Sequence, residues 1–111
     1  MLPRLTADFW VRAYLARLEQ AAIPAFVTAK GDATAGAVLV KVASLDGQAK
    51  AYQRSFDLMA DTRIWVVLCD GAERDVDTAI TRQRKFDPDL WVIEVEDRQG
   101  RSLLDEEGLS E

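Results

Sequence analysis

Cys69-Asp70-Gly71-Ala72 places a thiol and a carboxylate where an apolar run hands over to a helical pattern. In open α/β sheets such a junction favours anions, because unpaired helix N–H groups converge there. Asp70 would satisfy those donors itself, and no histidine or lysine flanks Cys69 to stabilise a thiolate. The expectation is a capped helix and an inert thiol. Gly31-Asp32-x-x-x-Gly36 has glycines at both ends of a loop but lacks the Lys-Ser/Thr pair of a nucleotide-phosphate loop, so it reads as a tight turn. Asp87-x-Asp89 followed by Glu94, Glu96 and Asp97 resembles a set of metal ligands, but strand alternation sends Glu94 and Glu96 to one face and leaves the aspartates beyond the strand's start. These read as solvated acids, and no metal or other cofactor is expected. Lys41, Lys50, Tyr52 and Arg54, with Phe56 beside them, form a basic-aromatic group that suits either a solvated sheet face or contact with an anion or nucleic acid.

Composition removes whole classes of function. The chain has no histidine, the commonest general base and metal ligand, and one cysteine, which excludes an internal disulfide and a multi-cysteine zinc site. The net charge of −5 is uneven. Residues 1–55 carry 7 basic and 4 acidic side chains, and residues 56–111 carry 7 and 15. That balance argues against broad nucleic-acid binding, which draws on many phosphate contacts. The apolar runs are far shorter than the roughly 20 residues of a membrane helix, and Met1-Leu2-Pro3-Arg4 leads into a polar-studded helix pattern instead of a signal peptide. A cytoplasmic protein with no membrane contact is expected. At 111 residues, one globular domain over 1–111 is the natural size, with an acidic tail over 105–111 that frays.

The elements that must position these residues follow from periodicity. Thr6 is an N-cap, and Val11, Tyr14, Leu15, Leu18 and Ala22 recur at helical spacing until Pro24. Phe9, Trp10 and Ala13 extend apolar surface beyond that stripe, which suggests a contact surface and a homodimer. Ala25–Lys30 reads as a short strand. Ala37–Ser44 and Gln48–Phe56 flank Asp46-Gly47, the dipeptide of a two-residue type I′ hairpin. With Leu45 opposite Gln48, Val38, Val40 and Val42 share the buried face, and Lys41, Lys50, Tyr52 and Arg54 share the other. Ile64–Cys69 is continuously apolar, as expected of a central strand covered on both faces. Asp70 caps a second helix whose inner stripe is Val76, Ala79, Ile80, Gln83 and Phe86, and Leu90–Glu96 is the last strand.

The predicted fold is α/β (α+β), in the order α-β-β-β-β-α-β. It is a mixed sheet of about five strands with an antiparallel hairpin, a C-terminal βαβ unit and two helices. That order resembles the core of restriction-endonuclease-like nucleases, with Asp32 before the hairpin and Lys41 within it. Leu39 stands where the second acid would be, so the metal site that this resemblance implies is incomplete. Gly31-Asp32-x-x-x-Gly36, Asp87-Pro88-Asp89-Leu90-Trp91-Val92 and Glu94-x-x-Asp97-Arg98-x-Gly100 together resemble a small bacterial family of unknown function, number fourteen ninety-one in the domain-of-unknown-function series. The resemblance spans nearly the whole chain and implies a stand-alone cytoplasmic protein, with no catalytic residue to carry over. The leading expectation is a non-enzymatic interaction or assembly module that forms a homodimer. The alternative is a small-ligand or nucleic-acid binder acting through Asp32, Lys41, Lys50, Tyr52 and Arg54.

Overall fold

The computed structural model describes residues 5–57, 59, 62–106 and 108–109, except for the side chains of 55–57 and 62. Its elements are α1 (Ala7–Gln20), β1 (Ala25–Ala29), β2 (Val38–Ala43), β3 (Gln48–Asp57), β4 (Thr62–Ala72), α2 (Glu73–Phe86) and β5 (Trp91–Glu96). The five strands form one mixed sheet in the order β1-β5-β2-β3-β4, with β5 and β2 parallel and the other neighbours antiparallel. β4 and β5 therefore run in the same direction, and α2 carries the chain between them across β3 and β2.

The two helices cover opposite faces. Against one, α1 packs Ala7, Trp10, Val11, Tyr14 and Leu18 onto Val38, Val40, Val42, Trp91, Ile93 and Val95. Against the other, Val76 and Ile80 of α2 meet Leu39, Ala49, Ala51, Leu90 and Val92. Thr6 does cap α1, its hydroxyl accepting the Phe9 N–H at 3.3 Å. The Ala7 and Asp8 N–H groups donate to the carbonyls of Thr34 and Ala33, so the 31–36 loop satisfies two amides that a helix start leaves without partners. Gly31 and Gly36 are glycines because of close approach. A Cβ on Gly31 would lie 2.1 Å from the Asp89 carbonyl oxygen, and one on Gly36 would lie 2.5 Å from it.

Four expectations change. The hairpin closes through three residues, Leu45-Asp46-Gly47, with Leu45 and Gly47 at positive φ, and not through a two-residue Asp-Gly turn. Asp46 sets this loop by accepting from the Ser44 hydroxyl and the Gln48 N–H. The register therefore moves by one residue, to Val42↔Lys50 and Val40↔Tyr52, and every β3 side chain changes face relative to β2. The run Ile64–Cys69 belongs to an edge strand, and the central strand is β2, all six of whose residues are buried. α2 starts later than Asp70. Its N-cap is Ala72, without a side-chain bond, and the Gly47 carbonyl accepts the Glu73 N–H. Phe86 is 81 % exposed and not part of the inner stripe, while Arg84 ties the end of α2 to the sheet side by donating to the carbonyls of Leu90 and Lys30.

The tail is packed further than expected. After β5, Asp97 receives the Arg101 N–H and guanidinium, and the chain continues as a strap across the α1 side of the sheet. The Tyr14 hydroxyl donates to Ser102 O, Arg17 pairs with Glu106, and Leu104 and Leu109 join the core. Glu107, Ser110 and Glu111, three residues of the expected frayed segment 105–111, lie outside the described residues. Among the described residues, no helix is long and apolar enough to cross a membrane.

Candidate functional site

The strap does not close down on the sheet along its whole length. Between it and the β3–β4 edge lies an open groove of about 650 Å³, lined by Tyr52, Trp65 and residues 100–105. A smaller hollow of about 220 Å³ adjoins it through Tyr52 and Gly100, and reaches Lys50, Gln48 and Asp70. The larger volume lies within the range of small-molecule sites. Its walls combine two aromatic side chains from adjacent strands with the strap backbone.

The shifted hairpin register builds this site. Lys50, Tyr52 and Arg54 alternate along β3 and share the α1 face with Val38, Val40 and Val42, where Arg54 stands opposite Trp65. The Arg54 guanidinium lies 4.5 Å from the Trp10 ring centroid and 5.0 Å from that of Trp65, and the two indoles are 5.4 Å apart. Trp10 in turn stacks on Tyr14 at 4.9 Å. The indoles hold the cation through their ring faces, but Arg54 Nε and Nη2 are buried with no hydrogen-bond acceptor. Burial, with the positive charge of Arg63, pulls the guanidinium down to about 10. A desolvated cation with no ring-plane acceptor thus stands beside the groove wall. Two other cations nearby are internally matched: Lys50 faces Asp70 at 3.8 Å, and Arg101 is paired with Asp97.

Lys41 is not part of this group. It lies on the opposite face, 3 % exposed, with its Nζ 2.7 Å from Glu73 and Asp77 and 3.0 Å from Glu94. Glu94 is its register partner on β5, and Glu73 and Asp77 are one turn apart on α2, so the cluster ties α2 to the centre of the sheet. Burial alone would lower the Lys41 pKa, but the hydrogen bonds to Asp77, Glu73 and Glu94 outweigh it and hold the ammonium well above its ordinary value. It is a saturated cation, not a nucleophile. Asp32 is elsewhere again, its carboxylate accepting the Thr34 and Ala35 N–H groups while its carbonyl accepts the Trp91 indole. The structure does not bring Asp32 and Lys41 together as a nuclease-like pair, and no metal-holding group of three or more His, Cys, Asp or Glu side chains occurs among the described residues.

On α1, Phe9 is 53 % exposed and Ala13 is also exposed, whereas Trp10 is turned into the core. Burial and the neighbouring Asp70 charge push the Cys69 thiol up, which keeps it protonated near neutral pH. Sequence reasoning missed Trp65 as a groove residue, and missed Glu73 and Asp77 as partners of Lys41. A single lysine inside the otherwise apolar Val38–Ala43 was the available sign of a buried ion pair.

The resembling motifs therefore do structural work: Gly31 and Gly36 receive the Asp89 carbonyl, Glu94 holds Lys41, and Asp97 starts the strap. No curated protein matches the chain. Its fold matches the crystal structure of a DUF1491 family protein from Caulobacter crescentus CB15 at 40% identity and a TM-score of 0.81, covering 92% of this chain and 94% of that one. An NMR structure of a DUF1491 family protein from the same source matches at 40% identity and a TM-score of 0.80, over 91% and 93% of the two chains. The solution structure of protein Atu0922 from A. tumefaciens matches at 29% identity and a TM-score of 0.72, over 85% and 86%. The family model described as "Protein of unknown function (DUF1491)" matches residues 5–105, and the chain belongs to that family.

Proposed function

We propose that this chain is a non-enzymatic binding module whose groove takes a small ligand with an anionic group and a flat portion. The observation that carries the reading is Arg54, a desolvated guanidinium clamped by Trp10 and Trp65 with two nitrogens lacking an acceptor, beside a groove walled by Trp65 and Tyr52. Arg54 does not itself line the groove, so its charge acts through space, past Trp65, and favours an anion there against Asp105, the one acid of the lining. The aromatic walls supply stacking surface for a planar group. Lys50 at the hollow's rim is exposed enough to exchange Asp70 for a ligand oxygen. The single free thiol, Cys69, fits a reducing, cytoplasmic setting for this activity.

Matched probe pairs that differ in charge test the reading: AMP with adenosine, phenyl phosphate with phenol, and benzoate with benzamide. Titrated into ¹⁵N-labelled protein up to about 10 mM, a range that reaches weak millimolar binding, the anionic members should shift the Trp65 indole and the 100–105 amides. The neutral members should shift them far less. The reading fails if none of the six probes perturbs these resonances, or if charge makes no difference.

A further inference from the structure

The six-residue apolar run Ile64–Cys69 has the composition of a strand enclosed on both sides, yet it lies on β4, at the edge of the sheet. β4 is eleven residues long, about twice the usual strand length, and among the described residues no strand lies beside its outer row of backbone N–H and C=O groups. Natural edges are blunted by shortness, lysine, proline or bulges. β1, the other edge, follows that rule with five residues and a register break at Thr28. β4 has a break at Leu68, but Thr62–Val67 pairs with β3 without interruption, carries Arg63 as its one charge and neither lysine nor proline, and leaves Ile64 39% and Val67 50% exposed.

We propose that a second copy of this chain covers this edge, with β4 pairing antiparallel to its equivalent about a twofold axis. Charge selects the occupant and the direction. Arg63 stands near the start of β4 and Asp70, which also faces Lys50 at 3.8 Å, near its end beyond the Leu68 break, so antiparallel self-pairing that runs through the break sets opposite charges together at both ends, whereas parallel pairing would align like with like. The same patch on both copies makes the interface isologous and closed, so assembly stops at the dimer. Two five-stranded sheets become one continuous sheet, and the apolar run becomes central, as its composition demands. Because the axis is perpendicular to the sheet, both grooves open on the same side.

Sedimentation equilibrium and amide hydrogen exchange of the full chain test this. The parent should sediment at twice the 12.4 kDa chain mass, with Thr62–Val67 amides that lose protection on dilution. Ile64→Lys and Val67→Lys, each at a position exposed in the single chain, should weaken the dimer at least about tenfold while circular dichroism stays unchanged. Val27→Lys on β1 and Phe9→Ser on α1 should leave the mass unaltered. A parent that is monomeric at about 100 μM, well above typical specific affinities, overturns the proposal. So does a dimer that survives both β4 substitutions, or one that is broken by Val27→Lys or Phe9→Ser. A mass that rises without limit overturns the closed twofold. The groove reading is unaffected by any of these results.

Discussion

Replacing Lys41 with methionine removes the cation held between Glu73, Asp77 and Glu94 while keeping most of the buried volume, so the loss is electrostatic and leaves little cavity. Breaking a fully buried ion pair by deleting one partner costs about 3–5 kcal/mol. Here the three carboxylate side chains are 29–54% exposed and regain hydration once released, which places the expected cost lower, at about 2–3 kcal/mol. Against a total of about 5–15 kcal/mol for a domain, that is a large fraction, and it corresponds to a fall in Tm of about 10 °C. Urea unfolding followed by circular dichroism measures it directly. Lys41→Met with Glu94→Gln should recover about 1 kcal/mol, because one of the like charges left behind is gone. The pH dependence has a fixed sign. The folded pKa of Lys41 lies above its ordinary 10.5, so its contribution is fully present below about pH 10 and fades only as pH rises through the folded value. A Lys41→Met protein within about 0.5 kcal/mol of the parent at neutral pH would refute the reasoning.

Gly31→Ala should destabilise by more than about 2 kcal/mol, since the added carbon would lie 2.1 Å from a backbone oxygen; an unchanged urea midpoint would contradict the close approach. Arg54→Met should stay within about 1 kcal/mol of the parent, because the lost cation–π attraction is offset by removing a desolvated charge. A loss above about 3 kcal/mol would make Arg54 a structural anchor instead. Tyr14→Phe removes the hydrogen bond to Ser102 O and should cost about 1–2 kcal/mol, with faster amide exchange along 102–106 as its signature.

The elements were legible because their signals are local. Thr6 with its apolar stripe marked α1, and the beta-rich runs marked four of the strands to within a residue, while the expected Ile64–Cys69 falls short of β4 by two residues at its start and three at its end. The faces were not, because they hang on one loop residue. Asp46 draws Ser44 and Gln48 together around a three-residue loop, and the resulting slip separates Lys41 from Lys50, Tyr52 and Arg54. The candidate site was half legible for the same reason: three of its residues were singled out, while Trp65 was assigned to a central strand. Strand order is a non-local property. Nothing along Ile64–Cys69 distinguishes a strand enclosed by its own chain from one that lies at the sheet edge. Trp10 was ambiguous between core and surface because its angular position falls at the margin of the α1 stripe, and its burial depends on Trp65 and Arg54, more than forty residues away.

The most direct test of the groove is the affinity of AMP for the parent and for Arg54→Met, measured by calorimetry at low salt. The account predicts binding to the parent that weakens about tenfold or more in the folded variant, the loss of the through-space attraction of the charge beside the groove. Equal affinity for the two proteins, or binding to neither, would contradict it.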